Sequence, residues 1–122
     1  MKVAGLGFRA GATISSLRSA LAGAGGAVGV SALATSDAKA GSAAFVALAA
    51  ELGLPVVPVS PVDLAAQATL TNSARVREKT GVGSLAEAAA LAGSGSNARL
   101  LGPRVVSDDH MATAAIAVGK TE

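Results

Sequence analysis

Apolar residues along this chain switch repeatedly between short continuous runs and helical spacing. Lys2 to Leu6 is an apolar run and predicts a strand, and Thr13 to Ala24 then places Ile14, Leu17 and Leu21 on one helical face. Gly25-Gly26 stops that helix. Val28 to Ala34 predicts a second strand, followed by Thr35, Ser36 and Asp37, all helix-capping residue types. Ser42 to Leu52 predicts a helix with Phe45, Leu48 and Leu52 inward, ended by Gly53, and Pro55 to Val59 predicts a third strand. Ser60-Pro61-Val62-Asp63 combines a cap, a proline at the first position and an acid in the first turn, so a short helix to about Gln67 is expected. Asn72 to Thr80 reads as another short, more polar helix. Ser84-Leu85-Ala86-Glu87 has the form of a capping box, with Glu87 its reciprocal member and a helix ending near Ala92. Gly93 to Asn97 reads as a loop. Arg99 to Ser107, interrupted at Gly102-Pro103, and Met111 to Val118 predict two strands. Ser107-Asp108-Asp109-His110 turns between them to give a C-terminal hairpin.

Strands alternating with helices imply an α/β fold, a mostly parallel central sheet with helices on both faces and a C-terminal antiparallel hairpin. No repeat or linker divides the chain, so residues 1–122 are expected to form a single domain. Ligands of open sheets bind beyond the carboxyl ends of the strands. The loops at 7–13 and 35–41 both lie at such ends and should share one face.

Composition narrows the chemistry. Hydrophobic residues make up 51% of the chain but aromatics only 2%, namely Phe8 and Phe45. The core must be built from Ala, Val, Leu and Ile, which favours thin helices close to the sheet. The lack of aromatic platforms argues against single-stranded nucleic acid as a partner, and a net charge of +2 from scattered residues gives no basic stripe. Without cysteine there is no disulfide, thiolate zinc site or thiol nucleophile. His110 is the one histidine, and three adjacent residues such as Asp108, Asp109 and His110 rarely converge on an ion. No metal and no cofactor are therefore expected, and His110 reads as a surface turn residue. Residues 19–36 carry no charge, but their four glycines and few large side chains make poor membrane material. No signal-peptide pattern opens the chain. A cytoplasmic protein with no membrane partner is expected.

The strongest local signal is Gly5-Leu6-Gly7-Phe8-Arg9-Ala10-Gly11, a glycine loop between a strand and a helix N-terminus. Glycine lets backbone approach a ligand, helical N–H groups and the helix dipole favour an anion, and Arg9 adds a forked donor. The spacing is neither the dinucleotide fingerprint nor a P-loop. On these residues alone the site could hold a small phosphorylated metabolite, or be a tight turn with a surface arginine.

Five blocks together carry a family resemblance. The glycine loop followed by Thr13 is similar to the opening of the CobE family, which is also the C-terminal domain of CbiG proteins of cobalamin biosynthesis. Leu33-Ala34-Thr35-Ser36-Asp37-Ala38-Lys39 resembles that family's second block. Leu52-Gly53-Leu54-Pro55 with Val57 and Ser60 resembles the third. Gly81-Val82-Gly83-Ser84-Leu85-Ala86-Glu87 resembles the fourth, and Ala112 to Ala117 the closing strand. Phe8 and Ala10 stand where relatives often have a cysteine and a base, and Pro103-Arg104 where they often have Pro-Lys.

The resemblance implies work on a precorrin or corrinoid intermediate, alongside other cobalamin-pathway enzymes. In fused CbiG relatives the reaction opens the ring-A lactone of a cobalt-precorrin and releases acetaldehyde. A non-catalytic corrinoid carrier is the alternative. Such ligands are flat and ringed with carboxylates. Arg9, Lys39 and Arg104 could supply charge, Gly7 and Gly11 backbone approach, and Thr35 a polar contact. Lactone hydrolysis needs a base and oxyanion donors. Asp37, with Lys39 beside it, is the candidate by position, while Thr35, Ser36 and Asp37 also suit helix caps.

Overall fold

The computed structural model describes residues 2–67, 84–95 and 98–119. Its elements are β1 (Lys2–Phe8), α1 (Ile14–Ala24), β2 (Ala32–Ser36), α2 (Ala43–Leu52), β3 (Val56–Val59), α3 (Pro61–Ala65), α4 (Leu85–Ser94), β4 (Arg99–Leu100), β5 (Val105–Val106) and β6 (Ala112–Val118). The helix expected over Asn72 to Thr80 lies outside the described residues.

One sheet runs β3-β2-β1-β6-β4, with β5 also paired to β6. β1 pairs in parallel with β2, and β2 with β3; β6 is antiparallel to β1, and β4 and β5 are antiparallel to β6. Five strands therefore point one way and β6 alone opposes them. The α/β fold with a mostly parallel sheet is as the alternating pattern implies. The hairpin enters differently from a simple added edge. Its second strand, β6, sits inside the sheet against all of β1, from Lys2↔Val118 to Phe8↔Ala112, and the broken first strand forms the edge.

Each side of the sheet has its own apolar layer. Ala4, Leu6, Leu33 and Ile116 face Leu17, Leu21, Phe45 and Leu48 of α1 and α2. Val3, Ala32, Ala34 and Val59 face Leu64, Leu85, Ala88 and Ala89 of α3 and α4. The second layer is thin because α4 presents alanines and the sheet presents glycine. A methyl at Gly5 would lie 2.0 Å from the Ala86 carbonyl and 2.5 Å from the Ala90 amide.

Local chemistry sets most of the helix ends. Thr13 and Ser16 form a capping box for α1, each hydroxyl accepting the other's backbone N–H. Ser60 caps α3 and Ser84 caps α4, and Gly53 closes α2 in the left-handed region at φ 68°. Arg18 and Glu51 pair across α1 and α2, an exposed contact of small energetic weight.

Several boundaries differ from the sequence pattern. β2 starts at Ala32 where the pattern predicts a strand from Val28, Val28 and Gly29 lying in a turn. Thr35 and Ser36 are not caps. They belong to β2, opposite Pro58 and Val59, and α2 starts after Ser42. Asp37 is likewise no cap: it sits in the turn, where its N–H donates to the Val59 carbonyl. Gly93 and Ser94 belong to α4, not to a loop. Gly93 lets the helix run close over Val3 and Ala34, and the Ser94 hydroxyl donates to the Ala90 carbonyl at 2.7 Å.

Candidate functional site

The carboxyl edge of β1 and β2 gathers most of the candidate residues. α1, α2 and α3 each follow a parallel strand, so their N-termini lie at this edge. The first turn of α4 arrives there too, since a methyl at Gly7 would meet Leu85 at 3.4 Å and the Ala86 amide at 3.6 Å. The N-termini of the three longer helices lend this edge a positive potential.

Lys39 joins the two loops. Its ammonium donates to the Phe8 carbonyl at 2.7 Å and stands 5.2 Å from the centroid of the Phe8 ring. That ring stacks on Phe45 with centroids 5.9 Å apart and planes 19° apart. The chain's two phenylalanines thus form one pile, the inner ring buried in the core and the outer one under a cation. Arg9 follows Phe8 and is exposed; its N–H donates to the Met111 carbonyl at 2.9 Å, and its carbonyl closes a tight turn to Ala12. Asp37 is exposed on the second loop, and its carboxylate has no hydrogen-bond partner among the described residues.

Other candidates are placed differently. Thr35 is fully buried, and its hydroxyl donates to the Leu6 carbonyl at 2.7 Å, so it ties β2 to β1 and offers no hydroxyl to a ligand. Gly7 lies buried inside β1. A methyl there would come 2.9 Å from the Thr113 hydroxyl, so its missing side chain makes room for β6 and α4. Gly11 is exposed in the turn beside Met111. Arg104 precedes β5, whose Val105 sits opposite Ala114, itself opposite Leu6. That register holds the Arg104 backbone at mid-height on the far edge of the sheet, not at the crevice of Arg9 and Lys39.

The anion position at the start of α1 is filled from within the chain. Asp109 Oδ2 accepts from the Ser16 hydroxyl at 2.5 Å, and Oδ1 accepts from the Ser107 hydroxyl at 2.6 Å and the Met111 N–H at 3.0 Å. Ser19 on the same helix accepts the Asp108 N–H at 3.1 Å. His110 completes this exposed turn at φ 61°, an angle uncommon outside glycine but tolerated by histidine better than by most residues. The hydroxyls of Ser107 and then Ser16, with the Met111 N–H, hold the Asp109 carboxyl at about 2, below the usual carboxylate range. Nothing in the local sequence announces this contact, because Ser16 and Asp109 are 93 residues apart.

The depressed value has a definite sign. Native Asp109 is harder to protonate than in the unfolded chain, so its stabilisation is complete above about pH 4 and fades as pH falls toward 2. In acid titrations followed by circular dichroism, Asp109→Asn should flatten the loss of stability across that window. An unchanged slope would mean that the turn is held by other contacts.

Glu87 also departs from its expected role. Ser84 accepts the Glu87 N–H at 3.3 Å as a cap should, but Glu87 is fully buried and its Oε2 accepts the Arg104 N–H at 2.7 Å. The capping-box reading contains nothing of this reach to the far strand. Among the described residues no cluster of His, Asp or Glu could hold a metal ion, and no helix is long and apolar enough to cross a membrane.

Comparison with known proteins accords with this geometry. The family model for the cobalamin synthesis G C-terminus matches residues 2–117. Comparison with curated proteins finds no match. Among solved structures, the chain is similar to CobE, a protein from the cobalamin (vitamin B12) biosynthetic pathway, at 33% identity and TM-score 0.83, covering 100% of this chain and 92% of that one. It is also similar to the cobalamin biosynthesis protein chiG from Agrobacterium tumefaciens, at 37% identity and TM-score 0.74, covering 99% of this chain and 100% of that one. With nearly its whole length matched by the family model and by both solved structures, the chain belongs to the cobalamin synthesis G C-terminal family.

Proposed function

We propose that this protein binds a corrinoid precursor of cobalamin biosynthesis at the carboxyl edge of β1 and β2. The observation that carries the reading is the joining of the two loops: Lys39 bridges to the Phe8 carbonyl beside exposed Arg9. Two cations on adjacent loops, Lys39 held and Arg9 exposed, suit a flat ligand ringed with carboxylates, each cation taking a peripheral acid. The N-termini of α2 and α4 add to the attraction, while that of α1 already faces Asp109.

If the bound precursor is opened at its lactone, Asp37 is the group placed to take a proton from the attacking water. The Lys39 ammonium is the nearest charge for the oxyanion that forms when hydroxide adds to the carbonyl. Collapse of that adduct breaks the ring C–O bond; the departing alkoxide takes back the proton held by Asp37, and the new acid ionises to a carboxylate, which Arg9 could hold. A carrier role is the second reading. It is favoured by Asp37, whose carboxylate is coupled to no second acid or base among the described residues.

A visible-absorbance titration with hydrogenobyrinic acid tests binding. The spectrum should shift saturably, and Arg9→Ala and Lys39→Ala should each weaken the affinity about tenfold or more, the scale of a lost charge-assisted hydrogen bond. An absent shift, or one untouched by both variants, would remove the corrinoid from this edge. Acetaldehyde release from a lactone-bearing precorrin separates turnover from carriage, and Asp37→Asn should abolish that release while leaving the titration intact.

A further inference from the structure

Away from the carboxyl edge, a cavity of about 270 Å³ opens at the corner where the chain crosses from β4 to β5. It is lined by Gly23 and Ala24 from the end of α1, Ile116 from β6, and the crossing segment Leu101 to Val105. We propose that this corner is a second binding site, for an alkyl carboxylate, with Arg104 as its counter-charge.

Three observations converge. First, Arg104 is the one charged residue in a lining otherwise of Gly, Ala, Leu, Pro, Val and Ile, and the volume is at the small end for ligand pockets, too small for a macrocycle and suited to a short acid chain. Second, Arg104 is partly buried, and its guanidinium has no carboxylate or hydrogen-bond partner among the described residues. A partly desolvated guanidinium at an apolar wall is completed by a forked bond to a carboxylate. Third, the segment is held by a side chain from the opposite face of the sheet. The fully buried Glu87 carboxylate accepts the Arg104 N–H at 2.7 Å, fixing the backbone that carries the arginine. The backbone that carries the charged group is thereby fixed before any ligand arrives, which removes part of the ordering cost of binding.

The carboxylate could come from a free small acid or from the acetate and propionate arms on a corrinoid rim. Only the second source rests on the function proposed above. Butyrate is the probe for the first and hydrogenobyrinic acid for the second, each followed by amide NMR on labelled protein. Butyrate should move the amides of Ala24, Gly102, Arg104 and Val105 saturably. Arg104→Gln should weaken that response about tenfold. Gly102→Leu should block the cavity while keeping the fold, since a Cβ there meets nothing within 4 Å. Lys39→Ala should leave the butyrate response unchanged. Hydrogenobyrinic acid moving the same four amides would identify the arm of a corrinoid as the occupant. Its acting at Arg9 and Lys39 alone would leave a free acid as the occupant and the corrinoid reading intact. A butyrate response that never saturates, or that persists in both corner variants, would overturn the proposal.

Discussion

Gly5→Ala is expected to be among the most damaging small substitutions at the described residues, costing on the order of 3 kcal/mol of stability. The added methyl would sit 2.0 Å from the Ala86 carbonyl and 2.5 Å from the Ala90 amide. Neither obstacle is the end of a flexible side chain. Both are helix backbone, so α4 as a whole must lift from β1. That lift would open the layer of Val3, Ala34, Ala88 and Ala89, where the alanines have little reach to refill the gap. Gly41→Ala supplies the comparison, because a Cβ there meets nothing within 4 Å and its cost should stay within about 0.5 kcal/mol. Urea unfolding of the two variants at matched pH measures the difference. Equal midpoints would show that α4 does not rest on Gly5.

The second large effect is expected at Phe45. It is the largest fully buried side chain among the described residues, in a layer built mainly of Leu, Ile, Val and Ala. Phe45→Ala should cost about 3–5 kcal/mol, through lost burial and the cavity left in the core. The effect should reach the crevice, because Phe45 supports the Phe8 ring under Lys39. Phe45→Leu keeps more volume and should preserve the fold while releasing that ring. It should therefore weaken corrinoid binding with less loss of stability than Phe45→Ala. If Phe45→Ala unfolds at the wild-type urea midpoint, or Phe45→Leu binds as wild type does, the stack supports neither the core nor the site.

Much of this architecture is legible in the chain because local and tertiary preferences agree. β1, α1, α2 and α3 lie within a few residues of where periodicity, Thr13, Gly53 and Ser60-Pro61 place them. The departures occur where a distant partner outcompetes local chemistry. Thr35 and Ser36 look like caps, but parallel pairing to β3 and the bond from Thr35 to Leu6 keep them in a strand. Gly93 looks like a breaker, yet its bareness is what admits the helix to Val3 and Ala34.

The candidate site divides in the same way. Arg9 and Lys39 could be placed together because strand order alone brings their loops to one edge. The plug formed by Asp109 and the anchor formed by Glu87 could not, since each joins a side chain to a partner fixed only by the finished sheet. Gly7, read as space for a ligand, turned out to be space for the protein itself.

The position of β6 has a consequence for the order of assembly. β1 is synthesised well before its antiparallel partner, residues 112–118. Until those residues emerge, the growing chain can offer only β2 and β3 on one side of β1, while the other side shows a row of unsatisfied amides and carbonyls. An open edge of this kind invites pairing with another chain. Contacts between segments so far apart in sequence also slow the search for the native state. Synthesis therefore holds this sheet in a half-built, association-prone form until residues 112–118 emerge, and closure against β6 is the late step that ends that exposure.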